Sequence, residues 1–216
     1  NPMVGCVIVY KNRIIAEGYH QKYGENHAEV NAINLVKNKK DLVGATLYVN
    51  LEPCCHFGKT PPCCQLIVKV GISNVVIGSK DNSKKVNGLG IKYLRDNNVK
   101  VKVGLLKKEC LELNKRFFTF HQKNRPYIIL KWAETKDGFI DIFREGKKKE
   151  INWISSENSK TLVHQWRANE DAILVGRTTV ENDNPKLTVR EVKGINPVRV
   201  ILDPDLKLGS DHNIFD

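Results

Sequence analysis

Short apolar runs alternate with helical patterns along the first half of the chain. Residues 5–10 (GCVIVY) and 13–20 (RIIAEGYH) are rich in β-branched residues and are separated by a turn-like KNR, which predicts a β-hairpin. Apolar side chains then recur at helical spacing over residues 27–39, and this segment ends in lysines that suit a helix C-terminus. The next predicted elements are strands over 45–53, 74–79 and 101–106 and helices over 61–71, 89–98 and 107–124. The alternation predicts an α/β fold with helices layered on a sheet.

A proline-marked break near residues 122–126 divides the chain, because RPYIIL restarts the apolar pattern after a polar segment. We therefore predict two domains, residues 1–124 and 125–216. The second is expected to contain a strand at YIIL, a polar loop over 144–150, a helix capped by Ser155 or Ser156, and strands over 171–179 and 198–203. It is shorter than a complete nucleotide-binding α/β domain usually is.

The composition is that of a globular protein. Of the 216 residues, 41% are hydrophobic and 27% are charged, which suffices for a buried core. The longest apolar runs fall far short of the ~18 residues of a membrane span, and no signal peptide opens the chain, so we expect a cytoplasmic protein without a membrane partner. The opening NPMVGCVIVY enters a strand at once, so we also expect that the natural start is absent.

The formal net charge of +11 has three interpretations: a nucleic-acid surface, a phosphorylated small substrate, or a lysine-rich composition. The lysines are scattered in runs such as KNKK and EGKKKE, and no basic stripe is interleaved with aromatic residues. We therefore expect a phosphorylated small molecule, and no nucleic acid, as the partner. The sequence leaves a homo-oligomer open.

One histidine and four cysteines are placed as zinc ligands would be. HAE at residues 27–29 begins a predicted helix, Cys54 and Cys55 follow a predicted strand, and Cys63 and Cys64 begin the next helix. A catalytic zinc ion takes three protein ligands and keeps one tetrahedral position open, which one histidine and two thiolates allow. Helix N-termini lower the pKa of thiols and so favour the thiolate that binds metal. Adjacent cysteine pairs also suit a metal site better than a regular disulfide framework.

Glu29 is the candidate acid and base beside this metal. Positions i and i+2 of a regular helix point to different sides, so His27 and Glu29 can face one metal only from an irregular first turn. We favour Cys54 and Cys63 as the ligands, because each follows a proline that restricts where the thiol points. The alternative is a closed structural zinc site with four cysteines, or three cysteines and a histidine, which leaves Glu29 without a role.

HAE followed by PCCHFGKTPPC resembles the signature of the zinc deaminases, in which a glutamate that is not a metal ligand transfers protons. The usual form of that signature is PCxxC, whereas eight residues separate Cys54 and Cys63 here. The longer insert, TPPC and the opening NPMVG resemble the bifunctional deaminase–reductases of riboflavin biosynthesis. YIILKWAETKDGFI, WISS, DAILVGRTTVENDNPKLTVR and PVRVILD resemble successive parts of the second domain of that family.

The resemblance implies a fold and a function for each domain. The first would be a cytidine-deaminase-like three-layer α/β/α domain with bound Zn²⁺, which hydrolytically deaminates a 2,5-diamino-6-(phosphoribosylamino)pyrimidinone. The second would be a partial dihydrofolate-reductase-like α/β domain, which in the intact family reduces the ribose to a ribityl chain with NADPH. Because DHNIFD ends the chain before the glycine-rich cofactor segment of the family, we expect no competent reductase from this chain alone.

The resemblance also implies roles for individual residues. In the first domain His27, Cys54 and Cys63 would bind zinc, Glu29 would be the catalytic proton carrier, and the substrate contacts would be Asn1, His20, His56 and Lys59. In the second domain the substrate positions are Arg167, Leu187 and Arg190, and the NADPH positions are Lys131, Ala133, Trp153, Thr179 and Asp183. Ile151 departs from the family, whose members often have a polar substrate contact there.

Two other functions share parts of this pattern. A tRNA or nucleoside deaminase would use the same metal chemistry, and its binding to nucleic acid would weaken steeply with salt. A non-catalytic zinc module would have four protein ligands and no open coordination position. The lack of a clustered basic face disfavours the first alternative, and Glu29 beside the predicted ligands disfavours the second.

Overall fold

The computed structural model describes residues 1–144 and 150–216. The chain forms two compact units, Asn1–Ile129 and Leu130–Asp216, each with its own hydrophobic core. Most of the polar loop predicted over 144–150 lies outside the described residues. None of the helices in the two described ranges combines the length and the hydropathy of a membrane-spanning segment.

A mixed five-stranded sheet forms the centre of the first unit. Its strands are β1 (Gly5–Tyr10), β2 (Arg13–Tyr19), β3 (Thr46–Leu51), β4 (Asn74–Ser79) and β5 (Lys100–Val103). They lie in the order β2-β1-β3-β4-β5, with β1 antiparallel to both neighbours and β3, β4 and β5 parallel. Lys11 and Asn12 join β1 to β2 with φ values of +46° and +62°, the left-handed conformation of a tight hairpin turn. The predicted hairpin is confirmed.

Helices cover both faces of this sheet. They are α1 (Ala28–Leu35), α2 (Cys63–Lys69), α3 (Leu89–Asp96), α4 (Lys107–Leu113) and α5 (Lys115–Lys123). On one face α1 packs on β1 and β2, and α2 contacts both α1 and α3. On the other face α4 packs on β4, where a Cβ at Gly78 would meet the Sγ of Cys110. Neighbouring side chains of a strand point to opposite faces, so Ile77 belongs to the core cluster that also contains Ile67 of α2, while Gly78 admits α4 on the other face.

The core of the first unit lies between the sheet and helices α1 to α3. Period-two burial along β3 places Leu47, Val49 and Leu51 inside, and Ile67 and Leu94 meet the sheet from the helices. Each fully buried aliphatic side chain of this kind contributes about 1.5–3 kcal/mol relative to an exposed one. The amphipathic pattern read from the sequence therefore accounts for the layer arrangement.

The single helix predicted over 107–124 is wrong, because α4 ends at Leu113 and α5 begins at Lys115. Asn114 lies between them and is 2% exposed. Its side-chain amide accepts a hydrogen bond from the Met3 N–H at 2.7 Å and donates one to the Met3 carbonyl at 3.0 Å. Asparagine side chains compete with regular helical structure when they find backbone partners, and this one finds them far away in the sequence.

The second unit contains two parallel strands, β6 (Ala172–Gly176) and β7 (Val198–Leu202), and two longer helical segments, α6 (Glu157–Asn169) and α7 (Arg177–Asp183). Ser156 caps α6, since its hydroxyl accepts a hydrogen bond from the Ser159 N–H, as the sequence predicts. A small core forms around Val180, Leu187 and Ile214.

The strand predicted at YIIL is wrong. Residues 127–140 form no strand in this structure, and the side chains of Ile128, Ile129 and Leu130 are mostly exposed. A strand needs a neighbour that pairs with its backbone, and the described residues place none beside this segment. A run of β-branched residues therefore stays irregular here.

Candidate active site

His27 and Glu29 both come from the start of α1. His27 is the N-cap residue, with an extended backbone (φ −71°, ψ 164°), and its side chain makes no capping hydrogen bond. Glu29 lies in the first helical turn and is 3% exposed. Both side chains therefore project from the start of the helix, with His27 just outside the regular turns. This is the geometry that the sequence requires if His27 and Glu29 are to face one metal ion.

Cys54 and Cys63 approach His27 from two other elements. Cys54 lies in the loop after β3, and Cys63 is the first residue of α2 behind Pro62. The Cys63 N–H donates to the Cys54 Sγ at 3.4 Å, and the Cys64 N–H donates to the Cys54 carbonyl at 3.1 Å. Backbone donors at the start of α2 therefore hold Cys54 and favour a thiolate there.

The ligand atoms of His27, Cys54 and Cys63 lie within 4.8 Å of one another. The His27 Nδ1 is 3.3 Å from the Cys63 Sγ and 3.5 Å from the Cys54 Sγ. Tetrahedral zinc, with Zn–N and Zn–S bonds of about 2.0 and 2.3 Å, separates its nitrogen and sulfur ligands by roughly 3.5 Å. These three side chains therefore fit a zinc ion, whereas Cys55 and Cys64 do not belong to the cluster.

The two clustered thiols share a hydrogen bond that separates their pKa values. This bond, with help from His27, lowers the pKa of Cys54 to about 4, and it raises the pKa of Cys63. The pKa of His27 is raised, mainly by its hydrogen bond with Cys54. The site thus holds one thiolate at neutral pH, and a metal ion that binds both sulfurs displaces the second thiol proton.

Glu29 is the buried carboxyl group of the cluster. Its burial raises its pKa to about 6, and its carboxylate hydrogen-bonds the Cys63 thiol. A carboxyl group enclosed beside metal ligands has the position of a proton carrier rather than of a surface charge.

Asn1 and His20 lie next to the same cluster. The Asn1 Nδ2 is 3.1 Å from the His20 Nε2, and the His20 Nδ1 is 3.0 Å from the Asn26 carbonyl. Because that carbonyl can only accept, His20 carries its proton on Nδ1 and accepts the Asn1 amide proton with Nε2. The rings of His20 and His27 meet edge to face, with centroids 5.6 Å apart. The structure thus brings Asn1 and His20 to the predicted ligands.

His56 and Lys59 belong to the loop between the two cysteines of the cluster. The His56 Nδ1 is buried without a hydrogen-bond partner among the described residues, so a polar ligand group would satisfy it. The Lys59 Nζ lies 4.0 Å from the centre of the Tyr23 ring, and Gly24 lies beside the same side chain. Tyr23 was missed from the sequence, because no spacing rule connects its loop with the loop of Lys59.

In the second unit, Arg167 and Arg190 meet at Thr188. The Arg167 Nη1 donates to the Thr188 carbonyl at 2.7 Å, and the Arg190 Nη1 donates to the Thr188 Oγ1 at 2.9 Å. Burial and the nearby Arg190 lower the pKa of Arg167, whose buried Nε has no hydrogen-bond partner in the described chain. Paired guanidinium groups suit a phosphate. The Leu187 side chain is instead a core residue, 8% exposed.

The residues predicted to bind NADPH are spread over three segments of the second unit. Lys131 and Ala133 lie in the irregular segment that follows Leu130. The centre of the Trp153 ring lies 4.0 Å from the Lys160 Nζ. Thr179 and Asp183 share α7 at positions i and i+4, so they lie on one helix face. Burial raises the pKa of Asp183. These five roles, like those of Arg167, Leu187 and Arg190, stay predictions.

Known proteins resemble both units. A sequence profile of the cytidine and deoxycytidylate deaminase zinc-binding region matches residues 1–79, and one of the RibD C-terminal domain matches residues 126–216. Over 118 residues the chain is 55% identical to a diaminohydroxyphosphoribosylamino-pyrimidine deaminase of Buchnera aphidicola subsp. Schizaphis graminum, covering 55% of this chain and 79% of the relative. It is 47% identical to riboflavin biosynthesis protein RibD of Actinobacillus pleuropneumoniae, covering 98% of this chain and 54% of the relative.

A solved structure extends the likeness to the full chain. The diaminohydroxyphosphoribosylaminopyrimidine deaminase/5-amino-6-(5-phosphoribosylamino)uracil reductase of Thermotoga maritima is 44% identical, with a TM-score of 0.89, over 100% of this chain and 61% of that one. The chain spans just over half the length of the curated relatives named RibD that it matches. The fold and the cluster define a cytidine-deaminase-like zinc-binding domain followed by a dihydrofolate-reductase-like domain. The chain belongs to the RibD family of riboflavin biosynthesis proteins. The predicted family and fold class are confirmed.

Proposed function

We propose that the first unit hydrolytically removes an amino group from a diaminopyrimidine that carries a phosphorylated ribose, as a step of riboflavin biosynthesis. The observation that carries the proposal is the cluster of His27, Cys54 and Cys63 with the buried carboxyl group of Glu29 against it. The chain matches 79% of the length of the Buchnera aphidicola relative, which is named as a diaminohydroxyphosphoribosylamino-pyrimidine deaminase. That name supports the choice of substrate. A cytoplasmic location, and a small-molecule partner rather than nucleic acid or membrane, stay predictions.

The residues of the cluster divide the work between metal binding and proton transfer. His27, Cys54 and Cys63 would hold a zinc ion, whose Lewis acidity lowers the pKa of water to about 7. Glu29 takes a proton from the attacking water and delivers it to the leaving amino group. A C–O bond forms, the C–N bond breaks, and ammonia leaves. Because Glu29 is buried, bulk water does not compete for the proton that it carries.

The residues around the cluster orient the substrate. The Asn1 amide, held by His20, contacts the polar edge of the pyrimidine, since an amide offers both a donor and an acceptor. His56 offers its unpartnered Nδ1 to the same ligand. Lys59, held over Tyr23, supplies a point charge to the phosphate.

The proposal extends to the second predicted domain, residues 125–216, which follows a predicted deaminase domain of residues 1–124. Arg167 and Arg190 bind the phosphoribosyl group beside Leu187, and the unpartnered Nε of Arg167 supports an anion there. In the complete protein this domain would reduce the ribose by hydride transfer from NADPH. The residues that contact NADPH would be Lys131, Ala133, Trp153, Thr179 and Asp183.

Ammonia release tests the deaminase. The zinc-loaded chain should release ammonia from the phosphorylated diaminopyrimidine and not from cytidine or tRNA. Glu29→Gln should keep its zinc and lose about 10²–10⁴-fold in kcat, the usual contribution of a positioned acid and base. Glu17→Gln, at an exposed position of β2, is the matched control and should retain full activity. Release from cytidine or tRNA alone, or full activity of Glu29→Gln, would contradict the proposal.

A further inference from the structure

Glu52 is a buried carboxylate with three backbone donors. It follows β3 directly, lies two residues before Cys54, and is 4% exposed. Its Oε2 accepts hydrogen bonds from the N–H groups of Asp81 at 3.2 Å and Gly88 at 3.1 Å, and its Oε1 accepts one from Ile91 at 3.1 Å. Glu52 therefore fastens the end of β3 to the loop that precedes α3 and to the first turn of that helix.

Steric contact reinforces this attachment. A Cβ at Gly90 would lie only 2.0 Å from the carbonyl oxygen of Pro53, so the backbone of α3 presses directly on the residue between Glu52 and Cys54. Gly88 has a φ of +91°, a left-handed conformation that favours glycine and that turns its N–H toward Glu52. The two glycines make room for a close approach that side chains would prevent.

Cys54 is consequently held from both sides. The start of α2 holds it directly, through the N–H groups of Cys63 and Cys64. The start of α3 holds it indirectly, through Glu52 and the Pro53 carbonyl. A ligand held in this way stays with the cluster when the ion leaves. Mutation of residues that hold a metal ligand in place typically lowers metal affinity by about 10–100-fold.

We propose that Glu52 is a positioning residue that fixes Cys54 for metal binding; the inference rests on the proposed zinc site. Three N–H donors face its two oxygens, so only a carboxylate satisfies all of them. A glutamine at this position must present its NH₂ group to at least one of the three N–H groups, which leaves that donor unpaired and pushes the loop away. The charge and the shape of Glu52 are both required.

Cobalt substitution and zinc release in the full chain test this inference. Glu52→Gln should still bind the metal, but zinc should dissociate into a chelator about 10–100-fold faster than from the unchanged chain. The Co²⁺ form should show shifted or weakened visible bands, because the sulfur of Cys54 is less well held. Leu42→Ala, in the core of the same unit, is the control for lost stability and should leave the Co²⁺ spectrum unchanged.

A measurement on the unchanged chain covers the case in which Glu52→Gln fails to fold. Linkage is reciprocal, so zinc binding should slow hydrogen exchange at the amides of Asp81, Gly88 and Ile91 if Glu52 couples them to Cys54. An unaltered Co²⁺ spectrum and release rate in Glu52→Gln, or unchanged exchange at these amides on zinc binding, would overturn the role of Glu52 while leaving the metal site intact. An unchanged chain that binds no zinc would instead overturn the proposed function and this inference with it.

Discussion

Replacing Asn114 by alanine should loosen the N-terminal segment that carries Asn1. The Asn114 amide makes two hydrogen bonds to the backbone of Met3, at 2.7 and 3.0 Å. The Met3 carbonyl keeps a second donor, the Asn50 Nδ2 at 2.8 Å, whereas the Met3 N–H has no other partner in the described chain. Removing the amide costs two bonds of about 0.5–1.5 kcal/mol each, so the free energy of unfolding should fall by about 1–3 kcal/mol.

Urea unfolding at 25 °C measures that change, and steady-state kinetics measure its effect on the substrate. Asn97→Ala removes an exposed asparagine whose Nδ2 donates to the carbonyl of Tyr93, and this control should change stability by less than about 0.5 kcal/mol. Asn114 anchors the segment that carries Asn1, and the bond from Asn1 to His20 depends on where that segment lies, so KM should rise in Asn114→Ala more than kcat falls. A stability loss no greater than that of Asn97→Ala would refute the reasoning.

Two further predictions concern the metal ligands and the phosphate. Cys54→Ser should abolish stoichiometric zinc binding, measured by elemental analysis, whereas Cys55→Ser should retain it, because only Cys54 belongs to the cluster; the reverse pattern would show that the wrong thiol was chosen. Lys59→Ala should raise KM for the phosphorylated diaminopyrimidine far more than for its dephosphorylated analogue, with Lys22→Ala as an exposed control in the same region. Equal effects of Lys59→Ala on both substrates would remove its contact with phosphate.

Much of the fold could be predicted from local pattern. The hairpin of β1 and β2, the strand β4 and the cap of α6 by Ser156 all follow from short-range rules, since turn residues, β-branched runs and capping hydroxyls act on their immediate neighbours. The break at Asn114 and the irregular YIIL segment could not be predicted in this way. In the first case a distant backbone provides the partner, and in the second no neighbouring strand is available among the described residues.

The candidate site shows the same division. The sequence alone determined which residue types gather: a histidine and a glutamate at one helix start, and cysteines at a strand end and another helix start, in a pattern typical of zinc deaminases. Only the tertiary structure decided that the ligand atoms of His27, Cys54 and Cys63 lie within 4.8 Å of one another, and that Glu52 and Asn114 support the site. The three backbone partners of Glu52 lie 29, 36 and 39 positions away along the chain, and the partner of Asn114 lies 111 positions away. Hydrogen bonds between residues so far apart in the sequence depend on how the helices and strands pack, and local sequence patterns do not predict such long-range contacts.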